Sequence, residues 1–506
     1  MERRILLLAS VFVVSACGLV YELVAGAVSS YLMGDAVTQF SFVIGVFLCA
    51  MGVGAYLAKF IKTGLLGAFI GVQVLIGLVG GLSSMAMYAV NAFAEPIFPV
   101  FFYALCAVIG TLVGIEIPLL VRILEEESGL RAALSNVLAL DYVGALAGSV
   151  AFPLVVLPFV GLCRASAVFG LMNLAVAALG TTIMPRPRRR QWLRIGGATV
   201  VVALTLVFSG RLVGFLEDML YQDSVILAET TPHQRIVVTR WRDDVRLYLN
   251  GHLQFSSVDE ARYHEALVLP AMESVPSASE ILILGGGDGM AAREVLKYES
   301  VSRVTLCDID PAMTRVAGTR REFRTLNADS LRSPKVRIVN TDAMKFLEED
   351  RGFYDVVIAD LPDPSSHALA RLYSTAFFSL AFRRLTDRGA FVTHATSPFF
   401  AREAFWCIQR TMAEAGRASA AAAFRTHPYH VNVPSFGEWG FVLASRRDIE
   451  PSALAPSVPT RFLDAKALPA MFAFGKDVAE TSVAVNRLDD PVLFGYYRSG
   501  WREFNR

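Results

Sequence analysis

The chain has 506 residues, enough for two or three domains. Hydrophobic residues make up 54% and charged residues 18%, with a mean hydropathy of +0.47, a balance too apolar for a purely soluble protein. The formal net charge of +1 gives no electrostatic footprint for nucleic acid, and six cysteines without a CxxC pair support neither a disulfide framework nor a zinc site.

The apolar excess is uneven: residues 1–215 hold few charges and residues 216–506 hold most of them. Met1 to Gly34 opens with Glu2, Arg3 and Arg4 before a long apolar run. Val14-Ser15-Ala16-Cys17 looks like a lipoprotein cleavage site, but the run continues past Cys17, so the segment reads as a first transmembrane helix. Further runs long enough to cross a bilayer stand at about 40–60, 65–90, 97–121, 134–160, 165–184 and 195–215, seven in all. Residues 1–215 are therefore expected to be a multi-pass transmembrane domain partnered by the lipid bilayer of the cell membrane. Arg3 and Arg4, Lys59 and Lys62, Arg122 and Arg131, and the group Arg186, Arg188, Arg189, Arg190 and Arg194 all fall on one side if the N-terminus is cytoplasmic. Seven crossings then put the following domain outside. A domain built for a nucleotide-like metabolite belongs with the cytoplasm, where such metabolites are made, and that side is expected for it despite the count. Glu22, Glu116 and Asp141 lie within apolar spans, either bridging or capping helices or lining a path for a cation.

Residues 221–257 read as a small antiparallel β domain: Arg235 to Arg240 alternates, Val245 to Leu249 forms a second strand, and Asn250-Gly251 is a strong hairpin signal before Leu253 to Phe255. Asp259 to Leu269 reads as a helix. Ile281 to Leu284 is a short buried strand followed at once by Gly285, Gly286, Gly287, Asp288 and Gly289, then a helical pattern from Met290 to Tyr298. Strand, glycine turn and helix open a nucleotide-binding α/β fold. Asp308 follows the next strand, 23 residues beyond Gly285, where such folds place an acid on ribose hydroxyls. With strands at 281–284, 303–307, 336–340, 355–359 and 389–394 and helices between them, residues 258–445 form a Rossmann-like, mostly parallel sheet that binds ligands at the carboxyl ends of its strands. Residues 446–506 form an ordered appendage.

Asp288, Asp308, Asp342 and Asp360 each sit just past a strand, with Asp363 close behind. An acid inside the glycine turn disfavours a phosphate or carboxylate there and suits a cationic tail. Magnesium usually arrives with phosphates, and no basic residue in these turns points to phosphate, so no metal is expected. The acids form either a structural network with arginines or a site for a cationic nucleoside. In the second case Asp308 holds ribose hydroxyls, Asp342 the adenine amine, and Asp288 and Asp360 face ammonium groups.

ILILGGGDGMAAREVLKY resembles the signature of the spermidine synthase family, the polyamine aminopropyltransferases, in its membrane-extended bacterial branch. Asp259-Glu260 with Tyr263-His264-Glu265 resembles the segment before that signature, Tyr354 to Pro364 resembles its catalytic loop, and His233-Gln234-Arg235-Ile236 its entry strand. The resemblance covers about 221–445. It implies transfer of an aminopropyl group from decarboxylated S-adenosylmethionine, a co-substrate rather than a cofactor, to putrescine, giving spermidine and methylthioadenosine. It makes Asp360 the base. Asp288 binds the donor's amine, Tyr263 and Asp363 position the attacking amine, His264 and Gln254 hold the amine ends, and Gln234, Asp308, Asp342 and Ala343 grip the methylthioadenosine part. Two departures stand out: Leu361 and Pro362 replace small hydroxyl residues of the loop, and Pro434-Ser435-Phe436-Gly437-Glu438 stands where a tyrosine is frequent. The rival readings are a methyltransferase using intact S-adenosylmethionine and a polyamine-binding transporter or sensor without turnover. The sequence leaves assembly into a homo-oligomer open.

Overall fold

Seven apolar helices build the N-terminal part of the chain: α1 (Glu2–Met33), α2 (Ala36–Ala58), α3 (Leu65–Phe93), α4 (Phe98–Ser128), α5 (Leu130–Ala151), α6 (Leu162–Thr182) and α7 (Arg189–Tyr221). The structure, a computed structural model, describes residues 2–33, 36–184, 189–221, 223–418 and 423–504. It divides into two units, Met1–Val225 and Ile226–Arg506. All seven helices contain a stretch long and apolar enough to cross a membrane. The fifth extends to 31 residues, Leu130–Val160, because α5 continues as a π-helix over Phe152–Val160. Helix α1 runs unbroken through Cys17. Arg186 and Arg188 lie outside the described residues.

Small residues let these helices meet closely. A β-carbon on Gly54 would overlap the carbonyl of Thr111, and one on Gly114 that of Met51, so α2 and α4 touch backbone to backbone where a side chain does not fit. Glu116, only 2% exposed, accepts a hydrogen bond from Gln73 Nε2 and so bridges α4 to α3. Glu22 and Asp141 are partly buried.

The C-terminal unit begins with a four-stranded antiparallel sheet of β1 (Ser224–Thr230), β2 (Arg235–Trp241), β3 (Asp244–Leu249) and β4 (His252–Ser256), in that order. Asn250 and Gly251 make the β3–β4 turn with positive φ at both residues, as the hairpin signal requires. Helix α8 (Glu260–Ser274) leads to the second sheet. It contains β5 (Glu280–Gly285), β6 (Arg303–Asp308), β7 (Val336–Asn340), β8 (Tyr354–Asp360), β9 (Leu385–His394), β10 (Arg425–Val433) and β11 (Gly437–Ser445). Their order is β10-β11-β9-β8-β5-β6-β7. Strands β5 to β9 pair in parallel, and β11 and β10 are added antiparallel at one edge. A run of long apolar helices followed by a small antiparallel sheet and a mostly parallel α/β sheet is what the chain forms, in the expected order.

Strand β5 shows why the sheet is buried on both faces. Ile281 and Ile283 enter one apolar core, and Leu282 and Leu284 enter the other. Alternate side chains point to opposite faces, so four apolar residues in a row require cover on both sides. Ile236, Val238, Leu247 and Phe255 of the small sheet belong to the first core, so the two sheets share it. The C-terminal residues join as well: Leu463, Leu468 and Met471 enter the first core, and Val483, Leu493 and Phe494 the second.

Candidate active site

The glycine turn is shaped by its neighbours. Gly285 has φ +81, and a β-carbon there would overlap the carbonyl of Asp360; one on Gly287 would overlap the Asp308 carboxylate. Both positions need glycine because the next two strand ends crowd against the turn. The turn's N–H groups fix two of the acids in return. Gly287 N–H donates to Asp308 Oδ2 at 3.0 Å, and Asp310 N–H donates to Asp308 Oδ1 at 2.8 Å. Burial pushes the Asp308 carboxyl up to about 6, against the pull of those N–H groups. Asp288 Oδ1 accepts from Met290 N–H at 2.8 Å, the first N–H of helix α9 (Met290–Val295), whose N-cap is Gly289.

Three residues from three elements converge at the centre. One ring nitrogen of His264 and one carboxylate oxygen each of Asp288 and Asp360 lie within 4.8 Å of one another. Tyr263, from the same helix as His264, donates to Asp360 Oδ1 at 2.8 Å. His264 Nδ1 faces the Glu260 carbonyl at 2.9 Å and Glu260 Oε2 at 3.0 Å; both are acceptors, so Nδ1 carries a proton. Burial pulls the ring's pKa down, but Glu260, Asp288 and Asp360 together raise it to about 9. Glu260 is itself fixed by a bidentate Arg293, at 3.0 and 2.8 Å, and by Arg461 at 2.7 Å. Against its burial, His264 and Arg293 hold it below the usual carboxylate range.

The centre therefore carries one imidazolium against two carboxylates, a net negative charge suited to a cation. Burial raises Asp288 to about 6, with His264 pulling it down and Asp360 pushing it up. Asp360 is raised by burial, with His264 and the Tyr263 hydroxyl opposing. This arrangement suits a cation that can compete with the protonated ring for the two carboxylates. It also gives His264 a charge that the sequence reading did not anticipate: beside these carboxylates the ring is a cation, and an ammonium has to compete with it.

The remaining expected residues are placed as follows. Asp363 lies beyond Asp360, with Tyr497 donating to its Oδ2 at 3.2 Å and His394 Nδ1 at 3.7 Å from its Oδ1. Leu361, where the family loop often has a small hydroxyl residue, is a core residue at 7% exposure. Its carbonyl accepts from His394 Nε2, and the Pro362 carbonyl accepts from Tyr373 at 2.9 Å. The loop is thus held by its backbone. Asp342 Oδ1 accepts from Met344 and Lys345 N–H at 3.0 and 3.1 Å, capping the helix Ala343–Glu349, and Arg371 pairs with its Oδ2. The rim is thus not free of basic residues, as the turns alone suggest: Arg371 arrives from a later segment. Gln234 ends a turn that Thr231 ties to Asp310 Oδ2 at 2.8 Å, which brings it to the end of β6. Gln254 makes its hydrogen bond within its own strand, donating to the His252 carbonyl at 3.1 Å.

A match to the spermine/spermidine synthase domain covers residues 260–451, the stretch that holds this centre. The chain is 45% identical over 97% of its length to a polyamine aminopropyltransferase of Leptospira interrogans serogroup Icterohaemorrhagiae serovar copenhageni, covering 98% of that protein. It is also 45% identical to polyamine aminopropyltransferase 2 of Ralstonia nicotianae, over 98% of both chains. The chain belongs to the polyamine aminopropyltransferase family. A crystal structure of a spermidine synthase in complex with the transition state analogue AdoDATO is similar at 25% identity and a TM-score of 0.45, covering 50% of this chain and 86% of that one. As a polyamine aminopropyltransferase the protein is a transferase of polyamine biosynthesis, and its match to these relatives runs nearly end to end, across the apolar helices as well as the α/β unit.

Sequence reasoning missed several residues around this cluster. His394 is the last residue of β9, so the rule that found the acids at strand ends, extended to histidine, reaches it. Glu260, which helps to set the charge of His264, and its partners Arg293 and Arg461 follow no such rule. Tyr497 lies 134 residues from Asp363, and no local pattern links them.

Proposed function

We propose that this aminopropyltransferase takes decarboxylated S-adenosylmethionine and putrescine and releases spermidine and methylthioadenosine. The observation that carries the reading is the cluster of buried His264 with half-buried Asp288 and Asp360, a site of net negative charge at the glycine turn. The donor is a sulfonium with a terminal amine and no carboxylate, and no separate cofactor is needed. Its ribose hydroxyls go to Asp308, its adenine to the Asp342–Ala343 corner near Gln234, and its ammonium to Asp288. An ammonium arriving there competes with the His264 charge. Loss of the ring's outer proton turns His264 from a repelling cation into an acceptor for the amine. Gln254 serves the amine ends from β4.

The acceptor amine enters as an ammonium and cannot attack until it loses a proton. Asp360 accepts that proton, with Tyr263 and Asp363 holding the nitrogen in line. The nitrogen lone pair then forms a bond to the carbon beside sulfur. The carbon–sulfur bond breaks, its electron pair goes to sulfur, and a neutral thioether leaves. The product nitrogen keeps its remaining protons as a secondary ammonium. Alignment of nitrogen, carbon and sulfur supplies much of the rate.

The pH profile tests the reading. Asp288 titrates near 6 and Asp360 above its ordinary range, both pushed up by burial. As the pH falls, each becomes neutral at a higher pH than an ordinary carboxylate does, so the donor loses its counter-charge and the acceptor its base. Turnover is expected to fall as pH drops through about 6 and to rise above it as more acceptor loses its proton. A flat profile from about pH 6 to about pH 9 contradicts the role given to Asp360.

We place the protein in the cell membrane with the catalytic unit in the cytoplasm, where both substrates are made. That side requires that one of the seven apolar helices not cross, because the basic segments mark an N-terminus on the same side. Protease added to sealed spheroplasts is expected to leave the catalytic unit intact, and protease added to inverted vesicles to digest it. The reverse pattern puts the unit outside.

A further inference from the structure

The residues after the family-matched stretch return to the rim through one helix, Leu493–Phe504. Its approach is fixed. Leu493 and Phe494 sit in the second core, and Asn486 just before it donates from Nδ2 to the carbonyls of Ala370 and Tyr373 at 2.9 and 3.1 Å. A β-carbon on Gly500 would stand 2.7 Å from the Phe400 carbonyl oxygen, so the helix lies tight against that loop. Tyr497 donates to Asp363 Oδ2 at 3.2 Å. One turn further on, the Trp501 ring stacks on Phe400 at 5.1 Å and stands 6.5 Å from Trp439. Trp439 in turn faces Phe436 at 5.1 Å and stacks over His394 at 6.2 Å. The rings make a continuous wall leading away from Asp363.

Four polar atoms along this wall are buried with no hydrogen-bond partner among the described residues: the indole nitrogens of Trp439 and Trp501, Asp363 Oδ1 and His394 Nδ1. His394 Nε2 is committed to the Leu361 carbonyl, which can only accept, so Nε2 bears the proton and Nδ1 is a bare acceptor. Burial also keeps this ring below its ordinary pKa, hence neutral. Two acceptors, Asp363 Oδ1 and His394 Nδ1, thus stand 3.7 Å apart with no donor recorded between them. A positively charged donor satisfies both, and aromatic faces beside a carboxylate attract an alkylammonium.

We propose that the helix Leu493–Phe504 forms the far wall of the amine-acceptor site, with Tyr497 fixing Asp363 and Trp501 closing the aromatic wall around the acceptor's unreacting ammonium. The helix thereby sets the length of acceptor that fits. This rests on the aminopropyl-transfer reading above. Phe436 has no hydroxyl to offer Asp363; Tyr497 supplies one from a different part of the chain.

The test is steady-state transfer by the full-length protein in detergent, with diamines of increasing chain length. Tyr497→Phe is expected to raise the acceptor KM about ten-fold, the loss of one hydrogen bond to a charged group, with the donor KM unchanged. Trp501→Ala is expected to shift the preference toward longer acceptors by about five-fold in relative kcat/KM, and Trp501→Phe to restore the wild-type order. If Trp501→Ala does not fold, Tyr497→Phe, which loses a single oxygen, carries the test. A wild-type acceptor KM in Tyr497→Phe, with Trp501→Ala either unchanged in length preference or unfolded, overturns the proposal. Absence of transfer by the wild-type protein overturns the reading beneath it instead.

Discussion

Asp360→Asn is expected to lower kcat by about 10³-fold while donor affinity stays within about three-fold. The side chain ends β8 against the glycine turn, and its Oδ1 accepts the Tyr263 hydroxyl at 2.8 Å. Asparagine is the same shape, and its amide oxygen can take that hydrogen bond. What it cannot do is accept a proton from an ammonium. The acceptor then waits for its rare neutral form, and the step loses its general base, a contribution of about 10² to 10⁴. Loss of one negative charge beside His264 also removes part of what holds that ring protonated. Single-turnover measurement of the aminopropyl product separates the two effects, because a charge defect alone alters binding while a missing base alters the chemical step. A kcat within about ten-fold of wild type shows that another group takes the proton.

Asp288→Asn is expected to weaken binding of decarboxylated S-adenosylmethionine by about 10- to 100-fold, and to abolish most of the discrimination against the intact form. Asparagine keeps the hydrogen bond to the first N–H of helix α9, since Asp288 Oδ1 only accepts from Met290 N–H there. The change therefore isolates charge. A hydrogen bond to a charged group is worth about 1.5–3 kcal/mol, which sets the loss for the decarboxylated donor. The intact donor carries a carboxylate at the same place, and two like charges in a buried site repel strongly. Removing one relieves that repulsion, so the intact form gains while the decarboxylated form loses. Donor binding within about three-fold of wild type in the variant contradicts the assignment.

Much of this site is readable because it obeys a period. Ile281 to Leu284 can only be a strand buried on both faces, and in an open α/β sheet the ligand lies at the strand ends. Asp288, Asp308, Asp342 and Asp360 could therefore be named from their spacing alone. Their individual states could not. Asp342 is drawn into capping the helix Ala343–Glu349 and into an ion pair with Arg371, a residue 29 positions away. His264 owes its charge to Glu260, one helical turn before it, and Glu260 owes its own to Arg293 and Arg461. Such chains of counter-charge depend on tertiary packing. The acceptor side is less legible still. Strands β10 and β11 are added antiparallel at one edge, outside the rule that places ligands at the ends of parallel strands, and the helix bearing Tyr497 and Trp501 reaches Asp363 only because residues 446–504 fold onto both cores of the sheet.

The most direct test of the central claim is a calorimetric titration of the full-length protein in detergent with decarboxylated and intact S-adenosylmethionine in turn. The cluster of Asp288, Asp360 and His264 predicts a preference of at least about 100-fold for the decarboxylated form. Equal affinity, or tighter binding of the intact form, contradicts aminopropyl transfer at this site and makes methyl transfer the better reading.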